Sequence, residues 1–166
     1  MDIPPPIKEF WTEFSASLGH DPSDRFCEAF HFDDNAPSAE ELAELVLCGR
    51  KRATAALVWA YESAGKLIPI PGDLSVVTRF SGEPLCVIET RKVRIVAFNE
   101  VSAEFAATEG EGDGTLEYWQ RAHTAFFGRE CKRLAREFSA DMPVVCEEFA
   151  VVFRGKAANG TSAAAS

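Results

Sequence analysis

The amino-acid sequence predicts one α+β domain, a small β-barrel with flanking helices over residues 1–154, followed by a disordered tail at 155–166. About five strand-like segments are mixed with helical ones without regular βα alternation, which disfavours a doubly wound sheet. A length of 166 residues suits a single domain. The tail sequence, GKAANGTSAAAS, has few bulky side chains that could join a core.

The first third of the chain predicts two helices around a short strand. IKEFWTEFSASLG places apolar residues at helical spacing and ends at Gly19, a residue suited to a helix C-cap. RFCEAFHF carries its phenylalanines at period two, which favours a strand. PSAEELAELVLCG predicts a helix that begins with a capping box of Ser38 and Glu41 and ends at Gly49.

The remaining segments predict a hairpin, further helices and a final strand. ATAALVWAYESAG suggests a strand that turns into a helical turn ending at Gly65, and LIPIPGD a loop. LSVVTRF and LCVIETRKVRIVAF form a β-hairpin around SGEP. SAEFAATEGEGDGT begins as a helical turn and becomes an acidic, glycine-rich loop. The following helix, LEYWQRAHTAFFGRECKRLAREF, contains Gly128 as a candidate break, and MPVVCEEFAVVF is the last strand.

Charge limits the partners that this chain is expected to bind. The formal net charge is −9, and residues 1–48, with 11 acidic and two basic side chains, hold all of the excess. A long phosphate-binding face is therefore disfavoured, although a local basic pocket is not. Short or single-nucleotide ligands fit this charge balance better than duplexes do, and no duplex DNA is expected.

Cysteine content and hydropathy predict a cytoplasmic protein. The five cysteines are odd in number and include no Cys-x-x-Cys pair, so they are interpreted as reduced thiols. No apolar run reaches the ~18 residues of a membrane span. The first residues, MDIPPPIKEF, lack the basic start and apolar stretch of a signal peptide.

Three consecutive cations, Arg50, Lys51 and Arg52, follow the second helix. Cations complement the dipole at a helix C-terminus, and this can be their only role. They also lead directly into an apolar segment, which brings at least one of them to the edge of a low-dielectric pocket. Desolvation and neighbouring cations would make Lys51 a candidate base, with Thr54 a candidate nucleophile in a turn-like backbone.

Four other sets of residues leave a structural and a functional interpretation open. The acids of EGEGDG favour a helix N-terminus, can supply a catalytic glutamate, or can bind a cation, although no full EF-hand loop follows. Aromatic residues can stack a base or pack in the core; they are Trp59, Tyr61, Tyr118 and Trp119. His123 is a packing residue or a proton carrier. The basic strip of Arg129, Lys132, Arg133 and Arg136 is a solvated face or an RNA track.

Six segments follow one another along the chain: ELVLCGRKRATAALVWAYE, PGDLSVVT, PLCVIETRKVRI, AEFAATEGEGDGTLEYWQRAH, FFGRE and MPVVCEEFAVVF. In this order they resemble the ASCH (activating signal cointegrator homology) family of the PUA-like superfamily of small β-barrels. The resemblance covers residues 26–153. Its most recognisable motif is Gly-x-Lys-x-x-Thr, which here spans residues 49–54.

The resemblance implies a PUA-like fold and a pocket for RNA or a modified base. Some members of the family are ribonucleases, and a small bacterial branch hydrolyses the amide of N4-acetylcytidine with a threonine, a lysine and a glutamate. The lysine corresponds to Lys51 and the threonine to Thr54. Glu109 is the best match for the glutamate, with Glu111 as its rival. We expect the loop of residues 49–54 and one of these glutamates to face each other across a cleft.

The sequence therefore supports two hypotheses about function. In the first, the protein is a hydrolase of RNA or of a modified nucleoside, a ribonuclease or an N4-acetylcytidine-type amidohydrolase, with Lys51, Thr54 and Glu109 as catalytic residues. In the second, it is a non-catalytic module that binds RNA or a modified base. No cofactor is expected, and a divalent metal is left open. The candidate substrate-binding residues are Arg50, Arg52, Trp59, Glu111, Tyr118 and Arg129.

Overall fold

The computed structural model describes residues 2–158, which form an α+β fold of five helices around one five-stranded sheet. In chain order the elements are α1 Lys8–Leu18, β1 Phe26–Phe30, α2 Ala36–Leu47, β2 Ala53–Leu57, α3 Val58–Ala64, β3 Leu74–Thr78, β4 Pro84–Ala97, α4 Ala103–Glu109, α5 Leu116–Arg133 and β5 Pro143–Arg154. The element types agree with the sequence prediction throughout. No helix within the described range has the length and apolar character needed to cross a membrane.

The sheet is open, so the predicted barrel is not confirmed. Its strand order is β1-β3-β4-β5-β2, with β1 parallel to β3 and the other neighbours antiparallel. Strands β1 and β2 are therefore the two edges. Helices α2 and α5 line the cavity between these edges, and residues of both edge strands face it. A cavity bordered by helices occupies the place where pairing of the edge strands would have closed a barrel.

Two details of the helices differ from the sequence prediction. Helix α2 begins at Ala36, and its N-cap is Asn35, whose side chain accepts a hydrogen bond from the backbone N–H of Ser38. The predicted Ser38–Glu41 capping box is wrong, because Pro37 has a backbone conformation suited to the first turn and lets the helix begin earlier. Helix α5 continues through Gly128 without a break, since Phe127 and Cys131 on either side are buried in the core.

Three apolar clusters hold the helices against the sheet. Helix α1 packs its aromatic face on β1, β3 and β4 through Phe10, Trp11 and Phe14. Residues of α2, β3, β4 and β5 form the second cluster, and α5 packs with β2 and β5 in the third. The last cluster holds α5, the helix that carries His123, against β2 and β5.

The predicted tail at 155–166 lies outside the described residues apart from 155–158. In that part, the backbone N–H of Gly155 donates to the carbonyl of Leu85, and Ala158 is buried. All five cysteines are free thiols, and three of them are buried.

Candidate active site

The basic loop after α2 turns its central lysine into the protein. Gly49 adopts a φ of 81°, a left-handed conformation that favours glycine, and the backbone N–H groups of Arg50 and Lys51 both donate to Leu45 O. Lys51 is only 1% exposed. Its Nζ donates to the Ala53 carbonyl at 2.8 Å and to Glu111 Oε1 at 2.9 Å. The loop of residues 49–54 was expected to face Glu109 or Glu111 across a cleft; it instead touches Glu111 directly through Lys51, and of this loop only Thr54 is in the described lining of the cavity. These contacts exclude a role limited to complementing the helix dipole for Lys51.

Glu109 and His123 extend this contact into a buried ionic network. Glu109 is the last residue of α4 and is 1% exposed; its Oε2 lies 3.8 Å from Lys51 Nζ and 3.2 Å from His123 Nε2. On α5, His123 Nδ1 lies 2.9 Å from the Trp119 carbonyl. Because a carbonyl oxygen only accepts hydrogen bonds, Nδ1 carries the hydrogen and Nε2 is the nitrogen that faces the carboxylate. The Trp119 ring stacks on the imidazole at 4.0 Å.

The network separates the proton affinities of its two carboxyls. Burial alone would raise the pKa of Glu109, but Lys51 and His123 outweigh it and hold this pKa at about 2. For His123, burial would lower the pKa, but the Glu109 carboxylate raises it. Burial raises the pKa of Glu111, Glu109 adds to this effect, and Lys51 opposes it only in part. Glu109 is therefore a fixed negative charge, whereas Glu111 binds a proton more readily than an ordinary glutamate does.

Two glycines allow the acidic loop to approach its neighbours this closely. A Cβ atom on Gly110 would lie 2.1 Å from the backbone oxygen of Arg50, and one on Gly112 would lie 2.4 Å from the Tyr118 ring. Both glycines have positive φ, 70° and 57°. Arg50 fastens the same loop by donating from Nη2 to the Gly112 carbonyl at 2.7 Å. The glycines of EGEGDG thus place Glu111 against Lys51.

A cavity of about 290 Å³ opens beside this network. Four predicted site residues line it, namely Thr54, Glu111, Tyr118 and Arg129. Tyr61 and His123, for which the sequence left a structural and a functional interpretation open, line it as well. Lys51 and Glu109 are not part of the lining, and they act on the cavity through Glu111 and His123. Thr54 lines the cavity, and its hydroxyl has no hydrogen-bond partner among residues 2–158.

Other sequence candidates lie away from the cavity. The side chain of Arg50 contacts Gly112, and the exposed Arg52 is not part of the lining. Trp59 packs against Arg136, whose guanidinium carbon lies 4.8 Å from the centre of the Trp59 ring. Trp119 is buried in the core. The aromatic wall of the cavity is instead formed by Phe30, Phe32, Tyr61, Tyr118 and Phe126.

The basic strip on α5 is largely neutralised by acidic partners. Arg129 Nε donates to Asp34 Oδ2 at 2.8 Å, and its Nη2 lies 3.6 Å from Asp33. Arg133 pairs with Glu130, and Arg136 lies 3.7 Å from Glu62. These pairs favour the interpretation of the strip as a solvated face over that of an RNA track.

Sequence reasoning did not single out Glu147, which lines the cavity and is 5% exposed. It also left His123 between packing and proton transfer. In the sequence, Glu147 could have been noticed as a carboxylate within the strand segment MPVVCEEFAVVF. The structure buries the neighbouring residues of this strand. No local pattern pointed to His123, because its partner Glu109 lies on another helix.

One atom each of Glu109, Glu111 and His123 lies within 4.8 Å of the others, as in a metal site. Lys51 Nζ, however, is 2.9 Å from one of these carboxylates and 3.8 Å from the other. A divalent ion would have to share the cluster with this buried ammonium group, at contact distance. The donor set therefore suits neutralisation by Lys51 better than metal binding.

Comparison with known proteins agrees with the resemblance noted in the sequence. The family model described as the ASCH domain matches residues 28–153. The structure of an ASCH domain from Lactobacillus crispatus JV V101 is similar, with 38% identity, a TM-score of 0.84, and coverage of 93% of this chain and 98% of that one. A protein of the family DUF984 from Enterococcus faecalis V583 is 30% identical, with a TM-score of 0.82 and coverage of 93% of each chain.

A more distant structure, described as a hypothetical protein, shares the fold alone. It is 19% identical, with a TM-score of 0.50, and the alignment covers 76% of this chain and 98% of that one. The comparison with curated proteins finds no match.

Proposed function

This chain belongs to the ASCH-domain family, and from that premise we propose that it is a hydrolase of a small acylated nucleoside of the N4-acetylcytidine type. One observation carries the proposal: Thr54, whose hydroxyl has no partner among the described residues, lines the same cavity as Glu111, whose carboxyl is held by the buried Lys51. A hydroxyl beside a positioned proton acceptor is the arrangement of nucleophilic acyl transfer.

The proposed roles follow from what each side chain contacts. Thr54 Oγ1 attacks the amide carbon while its proton passes to Glu111, the carboxyl whose pKa is raised and which lines the cavity. Glu111 then protonates the leaving amine as the C–N bond breaks. Water hydrolyses the threonyl ester, which releases the carboxylic acid and restores the hydroxyl.

Lys51 is better suited to orient Glu111 than to act as the base. The sequence suggested a base because of the neighbouring Arg50 and Arg52, but Nζ instead donates to the Glu111 carboxylate and to the Ala53 carbonyl. These two acceptors and Glu109 Oε2, 3.8 Å away, hold Nζ within the network, and Lys51 is not part of the cavity lining. In this proposal Glu109 anchors Lys51 and His123, and Glu111 takes the role that touches the substrate.

The size and charge of the cavity favour a nucleoside over an RNA chain. A volume of about 290 Å³ lies at the lower end of small-molecule sites. The acidic residues of the lining are Glu28, Asp33, Glu41, Glu111, Glu130 and Glu147. Arg129 is the one arginine among the described residues of this lining, and it is already paired with aspartates. Glu28, Glu111 and Glu130 are likewise each paired with a lysine or an arginine. Phosphates would therefore find no unpaired lysine or arginine in the described lining, whereas an uncharged base and sugar need none.

Incubation of the purified protein with N4-acetylcytidine, followed by mass spectrometry for cytidine and acetate, tests the proposal. Thr54→Ser keeps a hydroxyl and should retain part of the rate, and Thr54→Val should abolish turnover. Glu111→Gln should reduce the rate by about 10²–10⁴-fold. Thr108→Val is the matched control, because Thr108 is a half-buried threonine of α4 outside this cavity.

The competing function is a binding module for RNA or a modified base. Parent protein that binds N4-acetylcytidine but forms no more product than Thr54→Val would establish the binding module and reject the hydrolase. New fragments from total RNA, absent with Glu111→Gln, would show a ribonuclease instead. A cytoplasmic location and the absence of a duplex DNA partner remain parts of the same proposal.

A further inference from the structure

Glu147 is a cavity-lining carboxyl that the proposed reaction does not use. It lies on β5 and is 5% exposed. Oε1 accepts a hydrogen bond from Thr90 Oγ1 at 2.7 Å, whereas Oε2 has no hydrogen-bond partner in the part of the chain that the structure describes. Oε2 is not among the buried unpartnered atoms of the described residues, so it is an acceptor that a ligand in the cavity can reach.

Strand register places this carboxyl beside the candidate nucleophile. Thr54 on β2 is the direct cross-strand partner of Glu147 on β5. Partners in an antiparallel pair point to the same face of the sheet, with Cβ atoms about 4.5–5.5 Å apart. Both residues line the cavity, so a molecule in contact with the Thr54 hydroxyl lies within reach of Glu147.

Tyr61 supplies a second polar group at this end of the cavity. Its ring lines the cavity from α3, and its hydroxyl has no hydrogen bond to any residue between 2 and 158. Burial, and next the charge of Glu147, raises the pKa of Tyr61, as expected for neighbouring groups. The phenol therefore keeps its hydrogen and can donate it. Glu28 also lines this end, with Lys66 Nζ 3.3 Å away.

We propose that Glu147 and Tyr61 form a second subsite that binds an amide-like edge of the ligand. The ligand N–H donates to Glu147 Oε2, and a neighbouring carbonyl oxygen of the ligand accepts from the Tyr61 hydroxyl. The bases of nucleosides carry such edges, and the carboxylates at this end disfavour a phosphate. This inference rests on the proposed function for the identity of the ligand, but it makes a claim about binding that can be measured without turnover.

Glu147→Gln and Tyr61→Phe test the subsite. Glutamine can still accept from Thr90, but its amide nitrogen then opposes the ligand donor. The control is Glu148→Gln, because Glu148 is the next residue of β5, pairs with Lys92 and lines a separate groove. Binding of cytidine and of cytidine 5′-monophosphate is followed by NMR titration of the folded proteins, and hydrolysis of N4-acetylcytidine gives KM and kcat separately.

We expect Glu147→Gln to weaken cytidine binding and to raise KM by about 10- to 100-fold, with a smaller change in kcat. Parent protein should prefer cytidine to its monophosphate, and this preference should shrink in Glu147→Gln because a negative charge is removed. Loss of fold alone would not produce such a selective change. Tyr61→Phe should weaken binding of both ligands, and Glu148→Gln should behave as the parent.

The outcomes separate this inference from the proposed function. If no acylated nucleoside is hydrolysed but Glu147→Gln still weakens cytidine binding, the hydrolase proposal fails and the subsite stands. If N4-acetylcytidine is hydrolysed and Glu147→Gln matches Glu148→Gln in KM and in nucleotide preference, the subsite is rejected. Parent protein that binds neither cytidine nor N4-acetylcytidine would overturn both.

Discussion

Replacing Lys51 with methionine should destabilise the fold by about 3 kcal/mol at pH 7, and the loss should shrink as the pH falls. Methionine keeps most of the unbranched side chain but removes the ammonium group from a site that is 1% exposed. Glu109, equally buried, then keeps only His123 as an ion-pair partner. Removing one partner of a buried ion pair typically costs about 3–5 kcal/mol, because the other charge is left uncompensated.

The pKa of Glu109 supports the same magnitude independently. A buried carboxyl whose pKa falls from an ordinary 4.5 to about 2 stabilises the folded state by about 3 kcal/mol at neutral pH. Since the pKa is lower in the folded state, this contribution is complete above pH 4.5 and is lost as the pH falls toward 2. Lys51 provides the larger electrostatic part of it, so the difference between parent and Lys51→Met should fall to about 1 kcal/mol at pH 3.

Urea denaturation between pH 3 and pH 7, followed by tryptophan fluorescence, measures this difference. Lys92→Met is the control, because Lys92 lies 3.8 Å from Glu148 at the surface, and exposed pairs contribute at most about 1 kcal/mol. A Lys51→Met variant that loses the same free energy at pH 3 and pH 7 would refute the ion-pair reasoning. A loss no larger than that of Lys92→Met would refute it as well.

Three further predictions address the elements that build the site. Gly110→Ala should lower the free energy of unfolding by at least about 2 kcal/mol in chemical denaturation, because its Cβ would lie 2.1 Å from Arg50 O. Gly114→Ala is the control: its Cβ would have open space, so it should lose only the ~1 kcal/mol that a positive φ costs. Equal losses in the two variants would contradict the close approach of Gly110 to Arg50. His123→Gln should destabilise the folded protein more at pH 6 than at pH 9. The pKa of His123 is raised above 6.5 in the folded state, so its stabilising positive charge is present at pH 6 and is lost at higher pH. A loss of stability that does not depend on pH would argue against the contact with Glu109. Asn35→Ala should lower the free energy of unfolding by about 1 kcal/mol, because it removes the N-cap of α2. An unchanged free energy would indicate that Ser38, and not Asn35, caps this helix.

Secondary structure was predictable because its signals are local. Helix α1 shows apolar residues at helical spacing and a glycine at its end, and β3 and β4 are separated by the turn sequence SGEP. The cap of α2 was predicted wrongly for an equally local reason, since Asn35 and Ser38 are both capable N-caps and Pro37 decides between them. The resemblance to the family identified Lys51, Thr54 and the acidic loop as candidate site residues.

Chain-distant contacts decided the rest. Lys51 and Glu111 are 60 positions apart, and the inward turn of the lysine depends on carboxylates that arrive from α4 and the loop after it. Sequence alone could not establish that Arg50 and Arg52 stay outside while Lys51 is buried, because all three are cations in one short segment. Nor could the sequence predict that His123 and Glu147 lie at the cavity, or that β1 and β2 remain unpaired as the two edges of an open sheet. The physical reason is that the energy of a buried charge depends on its neighbours in space, and those neighbours are set only when the helices pack on the sheet.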